Sequence, residues 1–219
     1  MEEGLVERLG RAPRPWSLVR DRAALLVIDM ENDFVQPGAV LEIPMAREAL
    51  PNMVRLVAAC RRLGVPVIFT RHVLYDAFAV SPLEAAYNPT LQKTGLREDS
   101  PGSAVIPELE PLPGEPVVTK HRYDAFYGTN LEILLNNIRG PRQVDTVLIT
   151  GTVTSVCCES TARSAFMRDF KVVMVSDAMG GFDQASHEAS LRILGMVFAR
   201  VLTTDQVLAI LERGEEPAG

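Results

Sequence analysis

Short apolar runs alternate with longer amphipathic segments along most of this chain. The runs are rich in valine, isoleucine and leucine, which is typical of strands buried on both faces of a parallel sheet. They predict strands at 23–29, 66–70, 117–120, 145–150, 171–176 and 199–202. The segments between them predict helices at 51–63, 130–138, 157–169, 186–197 and 205–212. Strands separated by helices favour right-handed crossovers, so the pattern predicts an α/β fold: a three-layer α/β/α sandwich with a six-stranded parallel sheet.

Local signals mark several helix ends and one long connection. Pro51 suits the first turn of a helix, and Gly64 suits the cap after its last turn. Thr203 with Gln206 three residues later resembles a capping box. Residues 74–116 are rich in proline, glycine and polar side chains, and connections of this length are usually lids or binding loops.

Length and composition predict one domain, at 21–213, between a polar arm at 1–20 and a tail at 214–219. A formal net charge of −6 argues against a nucleic-acid partner. No run approaches the roughly 18 apolar residues of a membrane helix, so no membrane partner is expected. The N-terminus lacks the pattern of a secretory signal, and three cysteines cannot all pair within the chain. We therefore expect a reducing, cytoplasmic location.

Three reactive side chains stand at the ends of predicted strands. Asp29 and Lys120 each end an apolar run, and Cys157 follows another run at a strand-to-helix turn. Taken singly, Asp29 could be a turn former, Lys120 a solvated cation and Cys157 a buried thiol. Open α/β sheets bind ligands at the carboxyl ends of their strands, so together these residues predict a site. The helix start would also favour the thiolate of Cys157, which is the nucleophilic form.

These residues lie in three blocks that resemble the signature blocks of the isochorismatase-like cysteine hydrolases. The blocks read LVIDMENDF at 26–34, VTKHRYDAF at 118–126 and GTVTSVCCESTA at 151–162, and VSDA at 175–178 matches the next strand end. The resemblance covers about residues 22–211. It implies the same sandwich fold and a catalytic triad in which Asp29 is the acid and base, Lys120 its electrostatic partner and Cys157 the nucleophile.

The resemblance also implies a reaction. The thiolate would attack the carbonyl of an amide or ureido group, and water would then cleave the thioester. Backbone N–H groups of Val153 and Cys157 would form the oxyanion hole. The peptide that joins residues 152 and 153 is commonly cis in the family.

The blocks look most like the branch of ureidoacrylate, biuret and N-carbamoyl amidohydrolases. Candidate residues for binding this small-molecule substrate are Asn32, Phe34, Arg122, Tyr123, Phe126, Tyr127 and Gln184. Arg122 could grip a substrate carboxylate in a bidentate pair, or it could form an ordinary surface ion pair. Phe126 and Tyr127 could equally be core or interface aromatics.

No metal or other cofactor is expected. Nicotinamidases of this superfamily bind zinc through an Asp-x-His motif and a later histidine, whereas 70–72 here reads Thr-Arg-His. Nicotinamidase activity is therefore not expected, and His72 is predicted to be a wall residue. Asp33 is predicted to be structural rather than a second acid, and Cys158 a buried thiol.

Two other function classes remain open from the sequence. One is a vinyl-ether hydrolase of the isochorismatase type, and the other is a non-catalytic oligomeric member of the fold. The intact set of Asp29, Lys120 and Cys157 favours C–N hydrolysis over both. Family members commonly assemble, so we expect a homodimer or homotetramer, with the arm 1–20 or the loop 74–116 reaching a neighbouring subunit.

Overall fold

Six parallel strands run through the computed structural model, which describes residues 16–75, 81–141 and 143–216. They are β1 (Ala23–Ile28), β2 (Val67–His72), β3 (Val117–Lys120), β4 (Thr146–Thr152), β5 (Lys171–Gly180) and β6 (Arg200–Leu202). Their order is β3-β2-β1-β4-β5-β6, and every neighbouring pair is parallel. The chain thus starts at the centre of the sheet and winds towards both edges, which confirms the predicted sheet.

Helices cover both faces of this sheet. They are α1 (Asn32–Val35), α2 (Pro44–Arg62), α3 (Pro82–Tyr87), α4 (Leu131–Asn137), α5 (Glu159–Phe166), α6 (Gln184–Val197) and α7 (Thr204–Arg213). One core cluster joins the sheet to α2 and α7, for example through Met53 and Val207. The other joins it to α4, α5 and α6, for example through Leu131, Ala162 and Leu194. The molecule is therefore the predicted three-layer sandwich.

The central strand β1 shows how the apolar pattern becomes this architecture. All six of its residues are fully buried. Leu25 and Val27 point into one core cluster, while Leu26 and Ile28 point into the other. Each such side chain stabilises the fold by about 1.5–3 kcal/mol when it leaves water. Burial on both faces explains why β1 is a continuous apolar run rather than an alternating one.

Helix α2 begins earlier than the sequence predicted. Pro44 occupies its first turn, and Pro51 lies inside the helix. The prediction was wrong because a proline was taken as the helix start. An interior proline removes one N–H donor and crowds the carbonyl four residues earlier, at a cost of about 3 kcal/mol. Burial of Met53 and Leu56 on the sheet outweighs that loss. Gly64 follows the helix with φ of +70°, the left-handed conformation that glycine adopts most readily.

The long connection 74–116 lies along the carboxyl edge of the sheet. It contains α3 and three short 3₁₀ turns at Pro89–Gln92, Pro101–Ser103 and Pro107–Leu109. Backbone hydrogen bonds tie it down, from Leu74 N to Leu96 O and from Ile106 N to Met30 O. Residues 76–80 lie outside the described residues. The connection therefore forms a wall beside the strand ends.

The described ends of the chain are fastened to each other. Leu18 is fully buried, and its N–H donates to Glu216 Oε2 over 3.0 Å. Glu216 also pairs with Arg200, whose guanidinium lies 5.2 Å from the ring centroid of Trp16. Trp16 thus packs on its own chain, and residues 1–15 of the predicted arm lie outside the described residues. Within the described ranges, no helix is long and apolar enough to cross a membrane.

Candidate active site

The three predicted catalytic residues meet at the carboxyl edge of the sheet. Asp29 directly follows β1, Lys120 ends β3, and Cys157 lies in a π-helical turn, Thr154–Cys158, after β4. All three side chains are buried, at 0%, 0% and 2% exposure. This edge includes the β1–β4 junction, where the strand order reverses and α/β sheets bind ligands.

Gly151 brings the end of β4 close to β1. Its φ is +114°, and a Cβ built on it would lie 2.1 Å from the carbonyl oxygen of Ile28. No other residue type fits there, because both the backbone angle and the space require glycine. The peptide bond between Thr152 and Val153, just after Gly151, is cis, as the resemblance to the family predicted.

Asp29 and Lys120 form a buried ion pair. Lys120 Nζ lies 2.7 Å from Asp29 Oδ2 and also donates to the carbonyl oxygen of Arg122 over 2.9 Å. The hydroxyl of Thr70 donates to Asp29 Oδ1 over 2.6 Å. Burial, the largest single effect, would lower the pKa of Lys120, but the charge of Asp29, the hydrogen bond to it and the other acidic groups nearby together raise the pKa above its usual value. Lys120 is therefore a permanent ammonium that holds the carboxylate in place.

Cys157 is a thiol at rest, which corrects the expectation that the helix start favours its thiolate. Burial raises its pKa well above the usual range, and the charge of Lys120 offsets this only in part. The physical reason is burial, because the sulfur is removed from water and the charged form loses its hydration. A hydrogen bond from the backbone of Val153 also lowers the pKa of Cys157, but it too is insufficient. The cysteine needs a base, and Asp29 stands beside it.

Glu31 is a buried acid that the sequence analysis missed. Its Oε2 accepts a hydrogen bond from the backbone N–H of His72 over 2.8 Å. Burial, and then the charge of Asp29, raise its pKa well above the usual value, so Glu31 is a neutral carboxyl. A sequence signal existed, because Glu31 is an acid two positions after Asp29 within the same motif block.

His72 stands closer to the catalytic residues than its prediction as a wall residue implied. One of its ring nitrogens, a carboxylate oxygen of Asp29 and the sulfur of Cys157 all lie within 4.8 Å of one another. Burial, and then the charge of Lys120, lower its pKa well below the usual value, so the ring is neutral. Its Nε2 is buried and has no hydrogen-bond partner among the described residues.

Asp29, His72 and Cys157 could in principle offer three ligands to a metal ion. The sequence analysis did not anticipate this cluster, because its members come from three distant segments. However, the ammonium of Lys120 already neutralises Asp29 at 2.7 Å. A metal ion bound here would have to displace Lys120 or lie close to its positive charge, and both are unfavourable in a buried site.

Cys157 opens onto a cavity of about 610 Å³. Phe34 and Tyr123, two predicted substrate-binding residues, line it, as does Val153. The remaining lining residues are Val40, Leu41, Glu42, Ile43, His72, Glu84, Tyr87, Asn88, Leu91, Leu96, Val156 and Phe182. Those at 84–96 come from the long connection, whose irregular backbone carries no periodic pattern that would place them from sequence.

Three predicted substrate-binding residues lie elsewhere. Asn32 donates to the carbonyl oxygen of Pro101 and so fastens the long connection. Phe126 is a core residue with the guanidinium of Arg168 at 4.9 Å from its ring centroid. Tyr127 is 67% exposed and lies outside the cavity lining. Asn32 and Phe126 lie in motif blocks and Tyr127 directly follows one, but the side chains of neighbouring positions point in different directions.

The two other predicted substrate-binding residues are also outside the cavity lining. Gln184 is the first residue of α6, bonds to Glu188 and lines a separate cleft. Arg122 donates to the carbonyl oxygen of His121 and lies 4.0 Å from Glu84. Arg122 thus lies next to Glu84 of the cavity wall but is not among the residues that line the cavity.

Asp33 and Cys158 occupy structural positions, as expected. Asp33 Oδ2 accepts a hydrogen bond from the backbone N–H of Leu96 over 2.6 Å, which fixes the long connection. Cys158 is fully buried in the core cluster beneath α5, and burial raises its pKa well above the usual value. Neither side chain lines the cavity.

Comparison with known proteins places this site in a family. The model of the isochorismatase domain matches residues 23–206. The chain belongs to the isochorismatase family. It is 35% identical over 187 residues to nicotinamidase 3 of Arabidopsis thaliana, covering 84% of this chain and 86% of that protein. It is 29% identical over 213 residues to N-carbamoylsarcosine amidase of an Arthrobacter species, covering 96% and 76%.

A solved structure supports the same assignment. A cysteine hydrolase from Pseudomonas syringae pv. phaseolicola 1448A matches with a TM-score of 0.84 and 30% identity, over 91% of this chain and 96% of that one. The resemblance of the three sequence blocks is therefore confirmed at the level of the family. This protein is an isochorismatase-family hydrolase.

Proposed function

We propose that this protein cleaves the C–N bond of a small amide, ureido or carbamoyl compound through a thioester on Cys157. The observation that supports this most is the arrangement of Asp29, Lys120 and Cys157 at one sheet edge, with the sulfur facing the cavity. The set combines a nucleophile, a base and a group that orients the base.

Because the pKa of Cys157 is raised, the thiol needs a base in the first step, and Asp29 is that base. Asp29 takes the proton of the thiol, and the sulfur attacks the substrate carbonyl. The backbone N–H groups of Val153 and Cys157 stabilise the oxyanion. Collapse of the tetrahedral intermediate breaks the C–N bond, and Asp29 gives its proton to the leaving amine.

Hydrolysis of the thioester reverses these roles. Asp29, again a carboxylate, removes a proton from water, and the resulting hydroxide attacks the thioester carbonyl. The sulfur leaves as a thiolate and regains its proton from Asp29. Lys120 stays charged throughout and keeps the carboxylate aimed at the sulfur, because its pKa is raised.

The names of two relatives support C–N substrates. One is named as a nicotinamidase and another as an N-carbamoylsarcosine amidase. Within this range we propose the ureidoacrylate, biuret or N-carbamoyl branch. Thr70 supports it, because it replaces the first residue of the nicotinamidase zinc motif and instead bonds to Asp29.

A screen for released ammonia tests this proposal. Ureido, carbamoyl and simple amide compounds are incubated with the wild-type protein, with Cys157→Ser and with Cys158→Ser as the matched control. We expect ammonia from at least one compound with wild type and Cys158→Ser, and an acyl adduct on Cys157 after acid quenching. Equal ammonia release by Cys157→Ser and wild type would contradict the thioester, and no ammonia from any compound would instead favour vinyl-ether hydrolysis, which does not need the thiol.

We also propose a cytoplasmic homodimer or homotetramer. Tyr87 and Phe182 line the cavity yet are 93% and 61% exposed. Exposed aromatic side chains at a cavity rim are typical of surfaces that a partner covers. A second copy of the chain would bury them and narrow the entrance.

A further inference from the structure

The cavity in front of Cys157 is apolar except for a few groups, and one of these is a buried acid. Glu84 is the third residue of α3 and is only 9% exposed. Its Oε2 accepts a hydrogen bond from the backbone N–H of Ser81 over 3.3 Å, as part of a capping box. Its Oε1 is buried and has no hydrogen-bond partner among the described residues.

An acceptor oxygen buried without a donor is costly, so the position calls for a donor from a ligand. The cation Arg122 lies 4.0 Å from the other oxygen, Oε2. Tyr123 lines the same cavity, and burial, then the charge of Glu84 and, less strongly, a hydrogen bond to Glu84 raise the pKa of its hydroxyl. A carboxylate has about four acceptor sites on its two oxygens, so Glu84 keeps acceptor capacity at Oε1 for a ligand.

The rest of the lining adds negative rather than positive charge. Among the described residues no lysine or arginine lines the cavity, while Glu42 is a second acid there. Glu42 is already occupied, since it accepts from Arg47 and from the backbone N–H of Gly38. A substrate carboxylate would therefore meet carboxylates in an apolar surrounding, which is unfavourable.

We propose that Glu84 is a specificity-determining residue that selects substrates with a cationic or N–H-donating group on an apolar body. The ammonium, amidinium or amine N–H would donate to Glu84 while the amide or ureido carbonyl lies at Cys157. This replaces the expectation that Arg122 grips a substrate carboxylate. The choice of substrate rests on the proposed hydrolase function, whereas the charge preference of the cavity does not.

Charged thiol reagents test the preference without any hydrolysis. Methanethiosulfonates that carry an ethylammonium, a neutral propyl or an ethylsulfonate group react with Cys157, and peptide mass spectrometry separates Cys157 from Cys60 and Cys158. The rate of each reagent with Cys157 is divided by the rate of the same reagent with a small free thiol. We expect the ammonium reagent to exceed the sulfonate reagent by about tenfold, as one charge at close range implies.

Two matched variants test whether Glu84 causes the preference for the ammonium reagent. Glu84→Gln keeps the capping box, because glutamine also accepts from Ser81, and it should reduce the ratio about tenfold. Glu108→Gln makes the same change at an exposed position and should leave the ratio within about twofold, since exposed charges are screened. A wild-type ratio at or below one, or equal effects of the two variants, would overturn the proposal.

A substrate series separates this inference from the proposed function. Amides and ureas that share the scissile group and end in an ammonium, a methyl or a carboxylate are compared by kcat/KM. If none releases ammonia but the reagent ratio holds, the hydrolase proposal fails and the selectivity of Glu84 stands. If the carboxylate series is preferred, the selectivity fails and the hydrolase proposal stands.

Discussion

Replacing Asp29 by asparagine should both abolish activity and weaken the fold. Asparagine is nearly isosteric but cannot take the thiol proton. It also leaves the ammonium of Lys120 fully buried without its counter-ion. Breaking a buried pair in this way costs about 3–5 kcal/mol, and we expect the lower end because Lys120 keeps its bond to the carbonyl of Arg122. A domain whose free energy of unfolding is about 5–15 kcal/mol still folds after a loss of this size.

The pH dependence of this loss has a definite sign. In wild type the pKa of folded Lys120 is above its unfolded value, so the stabilisation is fully present below a pH of about 10.4. It is lost only as the pH rises through the folded pKa. In Asp29→Asn, Lys120 is still buried but has lost the largest charge that opposes the effect of burial. The pKa of Lys120 in the folded state therefore falls below its value in the unfolded state. The unfolded state then binds more protons, and the free energy of unfolding rises with pH towards about 10.

Urea denaturation of a double-mutant cycle measures these quantities. Asp29→Asn, Lys120→Met and the double variant are compared at several pH values, and the double variant should recover about 2 kcal/mol. Asp205→Asn, which breaks an exposed pair with Arg55, is the control and should cost at most about 1 kcal/mol. An Asp29→Asn protein as stable as wild type, or one whose stability falls between about pH 7 and pH 10, would refute the reasoning.

Three further predictions concern metal, assembly and the turn before the nucleophile. Dialysis against a strong chelator should leave the hydrolysis rate unchanged, because Lys120 already neutralises Asp29, and a rate that collapsed and returned with zinc would contradict this. Light scattering at micromolar concentration should give a dimer or tetramer, and a mass of 24.0 kDa would refute assembly. Gly151→Ala should cost more than about 3 kcal/mol in urea denaturation, against about 1 kcal/mol for Gly114→Ala, whose Cβ would meet open space. Equal losses for the two alanine variants would count against the steric argument.

The sheet and the meeting of the three proposed catalytic residues could be predicted from sequence because both depend on local patterns. Strands buried on both faces are continuous apolar runs, and strand order then brings the residues at their ends together. Asp29 and Lys120 directly follow or end such a run, and Cys157 follows one after the short segment 151–156, so their meeting required no knowledge of side-chain direction.

The cavity wall could not be predicted in the same way. Glu84 comes from an irregular connection, and its burial depends on contacts made across the chain. The resting state of Cys157 was also mispredicted, since a helix start is visible in sequence but the degree of burial is not. Arg122 and Gln184 show the same limit: the sequence can place a residue near the site, but the backbone decides which way its side chain points.

The catalytic role of Cys157 is the central claim, and the kcat/KM of Cys157→Ser against that of Cys158→Ser tests it most directly. Both thiols are buried neighbours, so the two variants carry the same chemical change at nearly the same depth. We predict that Cys157→Ser loses at least about 10³-fold of kcat/KM, as loss of a nucleophile usually does. Cys158→Ser should lose little, because its sulfur does not line the cavity. Comparable values for Cys157→Ser and wild type would contradict the thioester mechanism.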